Sequence, residues 1–133
     1  MIDFPKNFFE DSAIYFEEYS NELRKAASLI DKGVYINAVE EIEKTIKRGG
    51  TIYTMGNGGS ASISGHLLCD YVKGIYVDTS LKPKVLCLSS EISIISAIAN
   101  DISYDEIFSF QLHETLTELD IIIAISSSGN SEN

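Results

Sequence analysis

Two glycine-serine stretches and one histidine-aspartate pair carry the chemistry of this chain. Gly56-Asn57-Gly58-Gly59-Ser60 and Ser126-Ser127-Ser128-Gly129-Asn130-Ser131 each follow a short apolar run. Glycine lets the backbone take positive φ and approach a ligand closely. The first N–H groups of a helix have no intrahelical partner and carry the positive end of its dipole. A turn of this kind suits a phosphate. The serines add neutral hydroxyl donors. Neither stretch contains a lysine, so neither is a Walker loop. His66 and Asp70 stand four residues apart, on one face of the helix that the first turn opens. An imidazole and a carboxylate so placed can move protons, share a metal or form a plain surface pair, and spacing alone does not choose. Asn100-Asp101 either offers an amide and a carboxylate to ligand hydroxyls or stops one helix and caps the next.

The elements that must position these groups follow from the hydrophobic pattern. Phe9, Phe16, Leu23 and Ile30 recur at close to seven-residue spacing, which predicts a long amphipathic helix from Pro5 to about Asp31. It lies along its own sheet or along a second copy. Gly33 is expected to end it. Ala38, Val39, Ile42 and Ile46 give a second helix, stopped by Gly49-Gly50. Strands are expected at 51–55, 84–89 and 121–125. Between them fall helices over 60–71, with Ile63, Leu67, Leu68 and Tyr71 inward and Gly74 past the end, over about 90–98, and from about Asp105 with Ile107, Phe108, Leu112 and Leu116 on one side. Lys84-Val85-Leu86-Cys87-Leu88-Ser89 is a continuous apolar run, as a parallel strand covered on both faces requires. The βαβαβ order implies a doubly wound parallel α/β sheet, flavodoxin-like, with a long N-terminal helix and with ligands bound beyond the carboxyl ends of its strands. Both glycine-serine turns sit at such ends.

Composition excludes several classes. The 133 residues, 44% hydrophobic, suit one domain, with N-terminal helices over 1–48 and the βαβαβ part over 51–133. A net charge of −10 argues against nucleic acid as a partner, so any phosphate must be held locally by N–H and hydroxyl groups. Cys69 and Cys87 read as free thiols of a reducing compartment rather than a disulfide or a metal pair. No leader or membrane-spanning run is legible, which points to the cytoplasm. Three strands make a thin sheet, and the apolar Ile121–Ile125 would lie uncovered. A longer chain is therefore expected.

Three blocks in order, Gly56–Ser60 with His66, Asn100–Ser109, and Ile125–Ser131, resemble the sugar isomerase (SIS) domain family, and within it the phosphoheptose isomerases. The resemblance covers most of the chain. It implies aldose–ketose isomerisation of sedoheptulose 7-phosphate through an enediol, in a homotetramer whose first helix joins a central bundle. By that likeness Ser60, Ser126, Ser127, Ser128 and Ser131 hold the phosphate, Asn57, Gly58, Asn100 and Asp101 line the sugar, and Gly59 and Asp70 also contact the substrate. His66 matches a zinc ligand of some members, so one zinc per subunit is expected, held by His66 and Asp70, and no nucleotide cofactor. Asp70 stands where the family's isomerases have a glutamate as base, and its side chain reaches about 1.5 Å less. The glutamine and histidine that the family carries in a C-terminal helix have no counterpart before Asn133.

Two other readings compete. A non-catalytic SIS module, binding a sugar phosphate or a protein partner, is favoured by Asp70 and by the early stop. A dinucleotide-binding domain is suggested by Gly56, Gly58 and Ala61, with Asp78 downstream. It requires that acid to end the second strand, and it leaves the serine turn without a role.

Overall fold

A computed structural model of the chain describes residues 8–133. The chain forms two compact units, one ending at Val39 and the other running from Glu40 to Asn133. In the first, helix α1 spans Ser12–Ser28 and begins where Asp11 accepts a hydrogen bond from the Ala13 N–H at 2.7 Å. The start expected at Pro5 lies outside the described residues, and residues 8–11 are not helical. Gly33 does not end α1. The helix closes at Leu29, and Gly33 sits in the first turn of α2, Lys32–Lys47. The reason is Asp31, whose carboxylate accepts from the N–H groups of Gly33 at 2.7 Å and Val34 at 3.2 Å. A capping carboxylate outweighs the glycine signal.

The second unit is built on a three-stranded parallel sheet in the order β2-β1-β3, with β1 Thr51–Gly56, β2 Lys84–Cys87 and β3 Ile121–Ile125. The doubly wound α/β reading therefore holds. Ile46 from α2 joins Ile52 and Val85 in one buried cluster, with Leu68 and Tyr71 packed against it. Tyr53, Leu88, Ile98, Ile107, Phe108 and Leu112 form the other, so each of the two clusters draws on β1. Asp120 ties β1 to the turn entering β3. Its carboxylate accepts from the N–H groups of Thr51 at 2.6 Å and Thr117 at 2.7 Å, and from the Thr117 hydroxyl at 2.7 Å. These bonds, that of Thr51 foremost, hold its pKa below the ordinary carboxylate range.

Helix α3, Gly59–Cys69, does not stop near Gly74. It continues through a π-helical turn, Asp70–Ile75, into the short α4, Tyr76–Asp78, and ends where the Thr79 N–H and hydroxyl both donate to the Ile75 carbonyl. The buried residue of α3 is Ser64, whereas Ile63 is exposed. The Ser64 carbonyl accepts from the buried Thr54 hydroxyl at 3.0 Å, and this bond fastens α3 to β1. Helix α5 runs Ile92–Asp101, so Asn100 and Asp101 form its last turn rather than following it. A 3₁₀ turn, Tyr104–Glu106, capped by the Ser103 hydroxyl, and a four-residue α6, Ser109–Leu112, replace the single helix expected from Asp105. Ile107, Phe108 and Leu112 are buried as expected, and Leu116 is exposed.

Candidate anion-binding site

The register fixes where the two loops start. Gly56, the last residue of β1, pairs with Ile125, the last of β3, so the chains leave the sheet side by side on neighbouring strands about 4.8 Å apart. Connections run from β1 to β2 on one side and then to β3 on the other. The gap above β1 and β3 is the point where the winding reverses, which is where open α/β sheets bind ligands.

The first loop is built by glycine. A β-carbon on Gly56 would lie 2.7–2.8 Å from the Cβ, carbonyl carbon and oxygen of Ser60, so only glycine lets α3 start this close to the strand. Gly58 caps α3 at φ 54°, ψ −121°, a conformation that L side chains rarely adopt. The N–H groups of Ser60 and Ala61 turn back to the carbonyls of Asn57 and Gly58, while those of Gly58 and Gly59 have no intrahelical partner. Ser89, in the loop after β2, clamps the strand end. Its hydroxyl donates to the Gly56 carbonyl at 2.8 Å and accepts from the Gly56 N–H at 3.0 Å.

In the second loop three hydroxyls converge. Ser126 Oγ lies 3.4 Å from Ser128 Oγ and 3.3 Å from Ser131 Oγ, and it accepts from the Gly129 N–H at 3.0 Å. Ser128 Oγ accepts from the Asn130 N–H at 3.2 Å. Hydroxyls turned on one another in this way can turn outward to an anion at little cost.

Between the loops lies a cleft of about 360 Å³, lined by Met55, Gly56, Asn57, Phe108, Ala124, Ile125, Ser126, Gly129, Ser131 and Asn133. That volume is in the range of small-molecule sites. None of these residues is charged, so an anion here would meet amides and hydroxyls, as the acidic composition requires. Of the expected site residues, Asn57, Ser126 and Ser131 line the cleft, and Ser128 joins them through Ser126. Gly58, Gly59 and Ser60 adjoin Asn57 at the start of α3 without lining the cleft, and Ser127 is exposed beyond it. Asn100 and Asp101 are exposed, bonded to each other at 2.7 Å, and do not line it. Met55, Phe108 and Asn133 escaped the sequence reading. The first two belong to apolar runs that read as packing. Asn133 meets Asn57 across 76 residues, a pairing that no local pattern encodes.

His66 on α3 and Asp70, the first residue of the π-helical turn that continues it, face each other as expected, with Nε2 3.6 Å from Oδ1, but both are exposed and neither lines the cleft. A catalytic zinc takes three protein ligands. The pair supplies two, and among the described residues no three His, Cys, Asp or Glu side chains gather for a metal. These residues alone do not make a zinc centre. Asp78 closes α4 instead of ending β2, which removes the acid that a dinucleotide site needs.

The SIS domain profile matches residues 14–133. The phosphoheptose isomerase of Clostridium acetobutylicum is 32% identical over 132 residues, covering 96% of this chain and 64% of that protein. The phosphoheptose isomerase of Desulfovibrio desulfuricans is 40% identical over 92 residues, 69% of this chain and 43% of that one. Among solved structures, a phosphoheptose isomerase from Neisseria gonorrhoeae superposes with a TM-score of 0.77 at 28% identity, over 91% of this chain and 61% of its own. The chain thus spans less than two thirds of the length of these relatives. Helices set around a parallel sheet, the superposition on a solved phosphoheptose isomerase and a profile match over nearly the whole length agree: the chain belongs to the SIS domain family.

Proposed function

We propose that the cleft takes the phosphate of a sugar phosphate and that the whole protein interconverts an aldose phosphate and its ketose, with sedoheptulose 7-phosphate as substrate. One observation carries the reading. An uncharged cradle of loop amides and serine hydroxyls stands at the β1/β3 reversal point, in a chain whose relatives bear the name phosphoheptose isomerase. Ser126, Ser128 and Ser131, with Ser60 and Ser127 beside them, take the phosphate. Asn57, with Gly58 beside it, faces the sugar, and Asn100 and Asp101, outside the cleft of a single chain, reach the sugar only in the assembled protein. Asp70 is the base. Its carboxylate takes the proton from the carbon beside the carbonyl, the hydroxyl proton of that carbon passes to the former carbonyl oxygen by way of the enediol, and the carboxylate returns its proton to the former carbonyl carbon, with no atom gained or lost.

Asp70 does not line the cleft of a single chain, so turnover requires the assembled protein. Helix α1 leaves Ile14, Tyr15, Phe16 and Leu23 exposed, an apolar set that a second copy would cover, and a homotetramer fits that need. Among the described residues no helix is long and apolar enough to cross a membrane. Two free thiols, Cys69 and Cys87, suit a reducing cytoplasm.

Turnover of sedoheptulose 7-phosphate by the full-length protein tests the proposal. Asp70→Asn should lower kcat by about 10²–10⁴-fold, the usual worth of a positioned base, with sugar phosphate binding retained. Parental turnover in that variant would remove Asp70 from the mechanism. The exposed position of His66 and Asp70 outside the cleft favours a second reading, a binding module without catalysis. That reading expects sugar phosphate to bind and no form of the full-length protein to turn it over.

A further inference from the structure

Asn57 is the polar side chain that the first loop turns into the cleft, and its orientation is not settled by its own loop. An amide presents a donor and an acceptor of nearly equal shape, so its neighbours decide which end faces a ligand. Here Asn57 Nδ2 donates to Asn133 Oδ1 at 2.7 Å, and Asn57 Oδ1 accepts from Asn133 Nδ2 at 3.2 Å. This reciprocal pair is symmetric. If both amides rotate together, the same two bonds form again, so Asn133 cannot fix the sense of Asn57. The third partner can. The Tyr104 hydroxyl, from the 3₁₀ turn after α5, donates to Asn57 Oδ1 at 3.1 Å. A phenol is a better donor than acceptor, because its oxygen lone pair is drawn into the ring. Tyr104 therefore favours the state in which Oδ1 faces it and Nδ2 is left to donate.

We infer that Tyr104 is a positioning residue for ligand recognition: it holds the Asn57 amide so that, once a ligand displaces Asn133, the Nδ2 protons point at a sugar oxygen. This rests on the sugar phosphate reading of the cleft and adds to it a residue that does not line the cleft. The hydroxyl ties the 3₁₀ turn to the mouth of β1, whereas the Ser126, Ser128 and Ser131 hydroxyls bond among themselves. Loss of the Tyr104 hydroxyl should therefore be felt by the sugar part of a ligand and not by its phosphate.

Calorimetric binding of sedoheptulose 7-phosphate and of inorganic phosphate to the full-length protein tests this. Tyr104→Phe, which removes only the hydroxyl, should weaken sedoheptulose 7-phosphate by about five- to tenfold, the worth of one neutral hydrogen bond. Inorganic phosphate should bind unchanged. In an Asn57→Ala background, Tyr104→Phe should add nothing, since it acts through that amide. Equal weakening of both ligands, full additivity with Asn57→Ala, or no effect on a parent that binds the sugar phosphate would each overturn the assignment and leave the functional reading standing. A parent protein that binds sedoheptulose 7-phosphate no tighter than inorganic phosphate would overturn the functional reading itself, and this inference with it.

Discussion

Gly56 has no space for a β-carbon, and Gly58 sits at a φ that L side chains rarely adopt. These are backbone demands, and they explain why the first loop was legible in the sequence: a glycine turn behind an apolar run states its own geometry. Gly56→Ala should lower stability by about 1–3 kcal/mol through overpacking against Ser60, read as a lower urea midpoint at unchanged slope. An unchanged midpoint would mean that α3 does not approach the strand this closely. The serine loop was legible for the same reason, with hydroxyls concentrated in one short turn. Tyr104 and Asn133 were not. They meet Asn57 across 47 and 76 residues, and a tyrosine or an asparagine far away in sequence carries no mark of which loop it will reach.

Element boundaries followed local caps more than glycines. Asp11 and Asp31 set the starts of α1 and α2, while Gly33 and Gly74 were absorbed into helical turns. The strands β1 and β3 were read to within a residue because apolar runs bounded by glycine or charge leave few alternatives. By contrast, β2 ends at Cys87 instead of Ser89 and leaves Leu86 exposed, so it is not covered on both faces as expected. Asp120 matters at this scale, since its carboxylate joins the entries of β1 and β3. Its pKa is lower in the folded chain than in the unfolded one. The stability it contributes is therefore fully present above the ordinary carboxylate range and is lost as pH falls through the lowered folded value. Asp120→Ala should cost about 1–2 kcal/mol at neutral pH, and the gap to the parent should close as the solution is acidified. Parallel denaturation series against pH check this, and a gap that stays constant into acid would contradict it.

At the scale of the molecule, strand order decides more than any side chain does. With β1 between β2 and β3, the loops that follow β1 and β3 must emerge together, and the cleft arises where they part. The doubly wound pattern in the sequence predicted that shared edge. It did not predict that Asn100, Asp101, His66 and Asp70 stay outside the cleft. Helical spacing places residues on a face of their own helix, but which way that face looks is set by packing. The account predicts one anion held jointly by both loops. Titration of the ¹⁵N-labelled protein with sedoheptulose 7-phosphate should move the backbone amide signals of Gly58, Gly59 and Ser60 and those of Ser126 through Ser131 along one shared saturation curve. Shifts confined to a single loop, two curves with different midpoints, or none in either loop would contradict it.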